Sequence, residues 1–378
     1  METIRSLIAW VPLGLPAFAF VITIVVFFHE LGHFAVARAC GVAVETFSIG
    51  FGKAIVSWTD RKGTLWKISW IPLGGYVKFL GDADATSRPD EELVSKLPPE
   101  KRTTAFLSKP LYQRALVVLA GPAANFVLAI AIFAVTFMFL GREVVMPRVD
   151  QIRPGSAAVA AGIKTGDIIR KADGRTIEEF SDLQGIVTMS AGRDMAIVVE
   201  RNGKFLTLHA TPQLLEMKTP FGDVQRVGVL GIVNNLGKDE VTLVRYGPAG
   251  AVREATIRTW NVVDSTMTYL WRMVVGQQDA SQLSGPLGIA KVSRQVASIG
   301  IIELINLAAL ISVSIGLVNL FPVPILDGGH LLYYACEAVM GRPLGARAQD
   351  VGFRLGLAVM LGLMVLATWN DLLRLNLF

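Results

Sequence analysis

VVFFHELGHFAVA, residues 25–37, contains two histidines and a glutamate among side chains that are otherwise almost all apolar. Residues 6–28 form an uncharged run of 23 residues, which as a helix is long enough to cross a bilayer core of about 30 Å. His29, Glu30 and His33 therefore lie at the inner end of a predicted membrane span. An ionisable side chain at that depth costs roughly 2.5–3.5 kcal/mol, so this cluster indicates a functional site.

The composition is typical of an α-helical polytopic membrane protein. Hydrophobic residues make up 52% of the 378 residues and charged residues only 18%. Three more uncharged runs follow at residues 115–140, 304–326 and 355–370, the last with 16 residues. The first run could alternatively be a cleaved signal peptide, but Arg5 is its only basic flank and it has no clear A-x-A cleavage site. We expect four transmembrane helices.

Basic residues predict the orientation of these helices. Residues 41–110 contain ten Lys or Arg, whereas the two tails offer only Arg5 and Arg374, so both termini should face outward. The net charge of +5 has no dense basic run and gives no indication of nucleic-acid binding. Cys40 and Cys336 lie near predicted inner ends, facing a reducing cytosol, and are interpreted as small buried thiols rather than metal ligands.

The polar cluster has the spacing of a metal site. On a helix, His29 and His33 project from one face, so both imidazoles can reach one ion, and the HExxH pattern adds Glu30 as a base for a bound water. A structural histidine pair is the alternative. A catalytic zinc normally has three protein ligands. Asp327 in NLFPVPILDGGH, residues 319–330, lies at the same predicted depth as His29, and we predict it as the third ligand.

The segment around Asp327 is predicted to be unwound. Pro322 and Pro324 interrupt helical hydrogen bonding, and Gly328 and Gly329 permit tight or left-handed backbone. Irregular backbone at membrane depth requires burial in protein or a watery cavity.

Two more polar residues lie near this segment. Asn319 is a candidate to hydrogen-bond a substrate carbonyl or the reacting oxyanion, and an interhelical hydrogen bond is the alternative. His330 either contacts the metal ligands without binding the metal or is an interfacial side chain, and we favour the interfacial interpretation.

Residues 45–80 favour a β-hairpin around a turn at DRKG, residues 60–63. Trp66, Ile68 and Trp70 alternate with more polar positions, and tryptophans prefer the membrane interface. An edge strand here could bind an extended substrate by strand addition; alternatively, the hairpin is cytosolic and only packs. Residues 82–112 are predicted to form a mobile loop with short helices.

Residues 144–211 have a more soluble composition and predict strands, a short helix and a hairpin whose turn is Asn202 and Gly203. Residues 213–246 add further strands. Residues 246–275 then predict one or two amphipathic helices at the outer face. These helices either gate substrate access or anchor the soluble domain.

Several motifs together resemble the site-2 protease family of intramembrane zinc metalloproteases. They are HELGH in the first span, GPAAN (residues 121–125) in the second and NLFPVPILDGG (residues 319–329) in the third. SGPLGIA, residues 284–290, resembles the bacterial branch that includes the regulator of sigma-E protease, and GSAAVAAGIKTGDII, residues 155–169, resembles a PDZ domain. The resemblance implies His29, His33 and Asp327 as zinc ligands, Glu30 as general base and Asn319 as a substrate contact.

The resemblance also implies a function. The chain should be a Zn²⁺-dependent enzyme of the bacterial inner membrane that cleaves single-span proteins already trimmed outside, such as anti-sigma factors, or remnant signal peptides. We find one PDZ segment, which departs from the two-PDZ pattern of well-known relatives. A non-catalytic scaffold that presents a PDZ domain and a zinc transporter are the alternatives. The expected divisions are residues 1–40, 41–113, 114–141, 142–212 (PDZ), 213–300, 301–336 and 337–378.

Overall fold

The computed structural model describes residues 2–82, 91–177, 179–218, 224–234, 241–276 and 284–374. The helices are α1 (Glu2–Ala39), α2 (Glu91–Lys96), α3 (Pro99–Arg102), α4 (Leu111–Phe139), α5 (Ala157–Ala160), α6 (Phe180–Thr188), α7 (Pro248–Val274), α8 (Pro286–Ile299), α9 (Ile301–Asn319), α10 (Asp327–Met340) and α11 (Ala346–Arg374). The strands are β1 (Val44–Thr59), β2 (Leu65–Phe79), β3 (Arg142–Val145), β4 (Gln151–Ile152), β5 (Ile168–Ala172), β6 (Arg175–Thr176), β7 (Met195–Arg201), β8 (Lys204–Ala210), β9 (Gln213–Lys218), β10 (Val224–Val229), β11 (Ile232–Val233) and β12 (Val241–Val244). The chain divides into two compact units, residues 1–133, 254–266 and 283–378 in the first and residues 134–253 and 267–282 in the second.

Among the described residues, four helices are long and apolar enough to cross a membrane, as predicted: Gly14–Ala39 of α1, all of α4, all of α9, and Arg347–Leu373 of α11. The last differs most from the prediction of 16 residues, since it spans 27. Its charged residues do not end the helix, because Asp350 and Arg354 are four residues apart and form an ion pair of 2.8 Å.

Small residues bring the helices of the first unit close together. A Cβ at Gly32 of α1 would overlap the carbonyl oxygen of Ala120 in α4 and lie 2.7 Å from the Cβ of Ala124. The part of α1 that precedes the histidines packs against α9 through a buried apolar cluster that includes Val21, Val25 and Ala308. This close backbone approach is typical of membrane helices, where small residues replace the hydrophobic driving force.

Strands β1 and β2 form the predicted hairpin of the first unit. Residues 44–49 pair with residues 75–79, and beyond a bend at Gly50 (φ +82°) and Gly52 (φ +89°), residues 54–59 pair with residues 65–69. Near the bend, the hairpin exposes an apolar side chain: Trp70 is 70% exposed, whereas its neighbour Ser69 is buried. A face of this kind suits contact with lipid rather than with water.

The segment around Asp327 corrects one prediction. The unwound backbone occupies residues 320–326, and Asp327 is the first residue of α10 rather than part of that segment. Gly328 and Gly329 are helical, and their role is steric instead. A Cβ at Gly328 would overlap the carbonyl oxygen of Phe321, and a Cβ at Gly329 that of Val323. The glycines therefore let the unwound chain lie directly on the first turn of α10.

Three smaller expectations can be compared with the structure. The helix predicted within residues 246–275 is a single one, α7. The described part of residues 82–112 contains the short helices α2 and α3, while residues 83–90 lie outside the described residues. Cys40 and Cys336 are half-buried, not fully buried as expected.

The second unit is built on a four-stranded sheet of order β6-β5-β7-β8. Strands β7 and β8 pair up to Arg201 and Lys204, so Asn202 (φ 50°) and Gly203 (φ 75°) make the predicted turn. The sheet, α5 and α6 enclose a buried apolar core with Ile169, Ile197 and Leu183. Three further antiparallel pairs, β9–β10, β4–β11 and β3–β12, also belong to this unit.

Candidate metal centre

The side chains of His29, His33 and Asp327 converge, although Asp327 comes from a distant part of the chain. The distance between the two histidine Nε2 atoms is 3.2 Å, and the Oδ2 atom of Asp327 lies 3.2 Å from Nε2 of His29 and 3.5 Å from Nε2 of His33. Tetrahedral zinc with bonds of about 2.0–2.1 Å holds its ligand atoms about 3.3–3.4 Å apart. The observed triangle therefore has the size that one zinc ion requires.

The burial of this triangle also fits a cation. The Oδ2 atom of Asp327 is buried, and no described group donates a hydrogen bond to it. His33 is only 9% exposed. A buried carboxylate oxygen without a donor is rare in proteins, and a metal ion at the centre of the triangle would satisfy it.

Helix α4 orients the imidazole of His33. Its Nδ1 atom is 2.8 Å from the carbonyl oxygen of Val117, to which it donates, so Nε2 is left free to bind a metal. Gly121 provides the space for the ring, because a Cβ there would overlap Nε2 of His33. The glycine of GPAAN is thus explained by the histidine that it faces.

The same helix contacts His29 through Asn125. The Nδ2 atom of Asn125 is 3.2 Å from Nδ1 of His29, and Asn125 is fully buried. Gly121 and Asn125 are four residues apart on α4, as His29 and His33 are on α1. Each residue of the α4 pair therefore contacts one histidine: Gly121 contacts His33, and Asn125 contacts His29. Sequence reasoning gave Gly121 and Asn125 no individual role, and the only signal was their spacing within GPAAN.

A cavity of about 210 Å³ opens at the triangle. Glu30, Asn319 and His330 line it together with the metal-ligating candidates, and so do Gly75 to Val77 and Phe79 of β2. The structure therefore brings Glu30 and Asn319 to the same site as the three candidate ligands. His330 lines the cavity as well, and its interpretation as an interfacial side chain stays a prediction.

An ion pair between Arg114 and Glu337 connects α4 to α10. The guanidinium of Arg114 donates to both carboxylate oxygens of Glu337, at 2.5 and 3.2 Å. Asp327 is the first residue of the helix that carries Glu337. This pair therefore helps to hold α10, and with it Asp327, against the helix that orients both histidines.

Comparison with known families decides the class of this site. The model of peptidase family M50 matches residues 17–363. The chain belongs to peptidase family M50, the site-2 proteases. This M50 peptidase is 46% identical, over 95% of its length and 96% of the relative's, to a Rhizobium meliloti protein named provisionally as a zinc metalloprotease. It is 43% identical to metalloprotease MmpA of Caulobacter vibrioides, with 95% of each chain covered. It is 33% identical to the regulator of sigma-E protease RseP of Salmonella typhimurium, over 96% of its length and 99% of the relative's.

The predicted family and enzyme class are confirmed by this match. The chain is a protease of the site-2 type, with four apolar helices that make it a multi-pass membrane protein. Membership in a peptidase family also favours the enzymatic interpretation over a scaffold. The PDZ assignment of residues 142–212 stays a prediction.

Proposed function

We propose that this M50 peptidase hydrolyses peptide bonds with a zinc ion held by His29, His33 and Asp327. The observation that carries the proposal is the triangle of two imidazole nitrogens and one carboxylate oxygen, whose sides of 3.2, 3.2 and 3.5 Å match the ligand spacing of tetrahedral zinc. The names of several relatives, which include the term zinc metalloprotease, support the same metal.

Glu30 and Asn319 supply the remaining chemistry. A bound zinc would polarise the attacking water and the scissile carbonyl. Glu30, next to His29 in the cavity, takes a proton from that water and transfers it to the leaving amine. Asn319 at the end of α9 donates its amide hydrogen to the carbonyl oxygen of the substrate, where negative charge develops.

We infer that β2 holds the substrate in extended form. A helical substrate hides its backbone amides, so it must be unwound before cleavage. Residues 75–79 pair with residues 44–49 on one side, and four of these five residues line the cavity. An edge strand in this position supports strand addition, in which backbone hydrogen bonds fix a peptide next to the metal.

The substrates in this proposal are single-span membrane proteins already trimmed on the outer side. The name of the Salmonella typhimurium relative, a regulator of sigma-E protease, supports anti-sigma-factor-like substrates, and remnant signal peptides belong to the same chemical class. The enzyme resides in the bacterial inner membrane with its site near the cytosol. Residues 142–212 act outside as a PDZ domain that binds peptide ends.

Substitution of Glu30 tests the proposed mechanism. Glu30→Gln removes the base but none of the ligands, so the purified protein should keep its zinc and lose cleavage by about 10²–10⁴-fold. Asp327→Ala should instead lose zinc and cleavage together, because two neutral imidazoles hold a divalent ion weakly. Zinc content is measured by elemental analysis, and cleavage with a single-span model substrate in detergent.

Two results would contradict the proposal. Cleavage by Glu30→Gln at the wild-type rate would remove Glu30 as the base. Full zinc content in a folded Asp327→Ala variant, at wild-type affinity, would mean that Asp327 is not a ligand.

A further inference from the structure

We infer that Asn125 is a positioning residue for the metal centre: its side-chain oxygen accepts a hydrogen bond from Nδ1–H of His29 and so directs Nε2 of His29 at the metal. The inference rests on the proposed zinc site. It concerns a residue that contacts neither the metal nor the substrate and acts through His29.

The protonation of a metal-binding histidine is the first step. An imidazole that binds zinc through Nε2 carries its proton on Nδ1, and that proton needs an acceptor. The Asn125 amide lies within hydrogen-bond distance of Nδ1, at 3.2 Å. In the orientation described, the amide presents its NH₂ group to Nδ1, and its Oδ1 atom is buried without a hydrogen-bond partner.

A half turn of the amide corrects this mismatch. The turn exchanges Oδ1 and Nδ2, which have nearly the same shape, and brings Oδ1 to Nδ1–H of His29. The number of unpartnered atoms does not change, since NH₂ then takes the former position of Oδ1. The gain is that the acceptor now faces a nitrogen that must carry a proton once Nε2 binds zinc.

The surrounding helices fix the backbone of Asn125 for this role. The hydroxyl of Ser312 in α9 donates to the Asn125 carbonyl oxygen at 2.9 Å, and both residues are fully buried. Gly316, one turn further along α9, leaves room for Asn125, because a Cβ there would lie 3.1 Å from the Asn125 Cβ. Helix α9 thus holds Asn125 against α1.

Charge explains why an amide suits this position. The site already contains two carboxylates, Glu30 and Asp327, within one small buried cavity. A neutral amide oxygen accepts the hydrogen bond without adding a third negative charge. His33 has the same arrangement, because its Nδ1 donates to another neutral acceptor, the carbonyl oxygen of Val117 at 2.8 Å.

Three variants of the full-length protein test the inference. Asn125→Leu keeps the branched shape of the side chain, with larger methyl groups, but has no acceptor, and Asn125→Asp keeps an acceptor oxygen. Ser293→Ala is the control, since it removes the hydrogen bond of a fully buried hydroxyl to the carbonyl oxygen of Ile289 within α8 and leaves the contacts of Asn125 in place. Each protein is purified in detergent, and its zinc affinity is measured by competition with a chromogenic chelator.

Loss of the acceptor should weaken zinc binding by about 10- to 100-fold in Asn125→Leu, as for other groups that orient metal ligands. Asn125→Asp should retain most of the wild-type affinity. Ser293→Ala should leave zinc affinity unchanged. Wild-type zinc affinity in a folded Asn125→Leu protein would overturn the inference, and so would an Asn125→Asp protein that binds zinc as weakly as Asn125→Leu.

A measurement on the wild-type protein covers the case in which Asn125→Leu does not fold. In the zinc-loaded protein labelled with ¹⁵N-histidine, the His29 ring should carry its proton on Nδ1, and a metal-bound Nδ1 would overturn the inference. The proposed function can be judged separately. If Asp327→Ala loses zinc while Asn125→Leu keeps it, the zinc site stands and only the role of Asn125 is wrong.

Discussion

At the scale of single residues, two glycines shape the metal centre because they have no side chain and leave space for their neighbours. Gly32 allows α1 and α4 to touch, and Gly121 leaves the volume that the His33 ring occupies. Neither glycine has a positive φ, so their role is space and not backbone freedom. A methyl group at either position must displace backbone or a candidate metal ligand.

Gly121→Ala tests this steric role. The added Cβ would overlap Nε2 of His33, so the ring must move, and cleavage should fall by about a hundredfold together with a loss of zinc affinity. Gly362→Ala is the matched control, because it lies in the membrane helix α11 with no atom within 4 Å of the added Cβ. Unchanged zinc binding and cleavage in Gly121→Ala would refute the steric argument.

A buried ion pair in the second unit gives a pH-dependent prediction. Asp167 is 1% exposed and accepts hydrogen bonds from Nε and Nη2 of Arg201, both at 2.7 Å. Burial by itself would raise the pKa of Asp167, but the hydrogen bonds from Arg201 hold that pKa below its usual value. The ionised carboxylate therefore contributes stability above the unfolded pKa of about 3.9 and loses it as the pH falls through the lower folded pKa.

Arg201→Ala should lower the amide-exchange protection of β5 in the full-length protein at pH 7. The difference from the wild type should begin to shrink below about pH 3.9, where Asp167 of the unfolded state binds a proton, and it should vanish below the lower folded pKa of Asp167. Arg170→Ala is the control, because the Arg170–Glu200 pair is more exposed and contributes little. A difference between Arg201→Ala and the wild type that does not change with pH would exclude the ion pair as its cause.

At the scale of elements, the hairpin and the break between α9 and α10 bring backbone to membrane depth. The break at residues 320–326 packs against the first turn of α10, where Gly328 and Gly329 lie against its carbonyl groups, and its residues Ile325 and Leu326 line the cavity. Residues 75–79 form a strand beside the cavity. Non-helical backbone is tolerated in a membrane only where it is buried or lines a cavity, and both segments meet that condition.

Val77→Pro tests strand addition. Proline removes the backbone N–H of Val77, which hydrogen-bonds to the Glu30 carboxylate beside the cavity. Crosslinking of a photoreactive model substrate to the hairpin should be lost, and crosslinking rather than cleavage is the readout because the change also removes this contact to Glu30. Val77→Ala loses comparable side-chain packing but keeps the N–H, and it should still crosslink. Equal substrate crosslinking by the two variants would argue against a backbone-bonded substrate.

At the scale of the whole molecule, most of the second unit can be removed between two of its own paired strands. Strands β3 and β12 pair in antiparallel register, with Val145 opposite Val241. Replacing residues 146–240 by Asn-Gly would close these strands as a two-residue hairpin, the turn that this dipeptide favours. The shortened protein should bind zinc and cleave an already trimmed substrate, but it should no longer discriminate between trimmed and untrimmed forms. Loss of cleavage in a folded, zinc-loaded deletion would make residues 146–240 part of the catalytic apparatus.

The sequence by itself determined the features that depend on local pattern. Four apolar runs specified the spanning helices, because length and hydropathy alone decide whether a helix fits a bilayer. The four-residue spacing of His29 and His33 specified a shared helix face, and Asn202 with Gly203 specified a hairpin turn. The choice of Asp327 also came from sequence, through an argument about depth.

Only the tertiary structure decided the features that depend on contact between distant segments. It moved Asp327 from an unwound segment to the start of α10, and it brought His330 into the cavity. It also showed that Gly121 faces His33 and that Asn125 faces His29. No periodicity within α4 contains this information, because the glycine and the asparagine acquire their roles from the residues of another helix that pack against them.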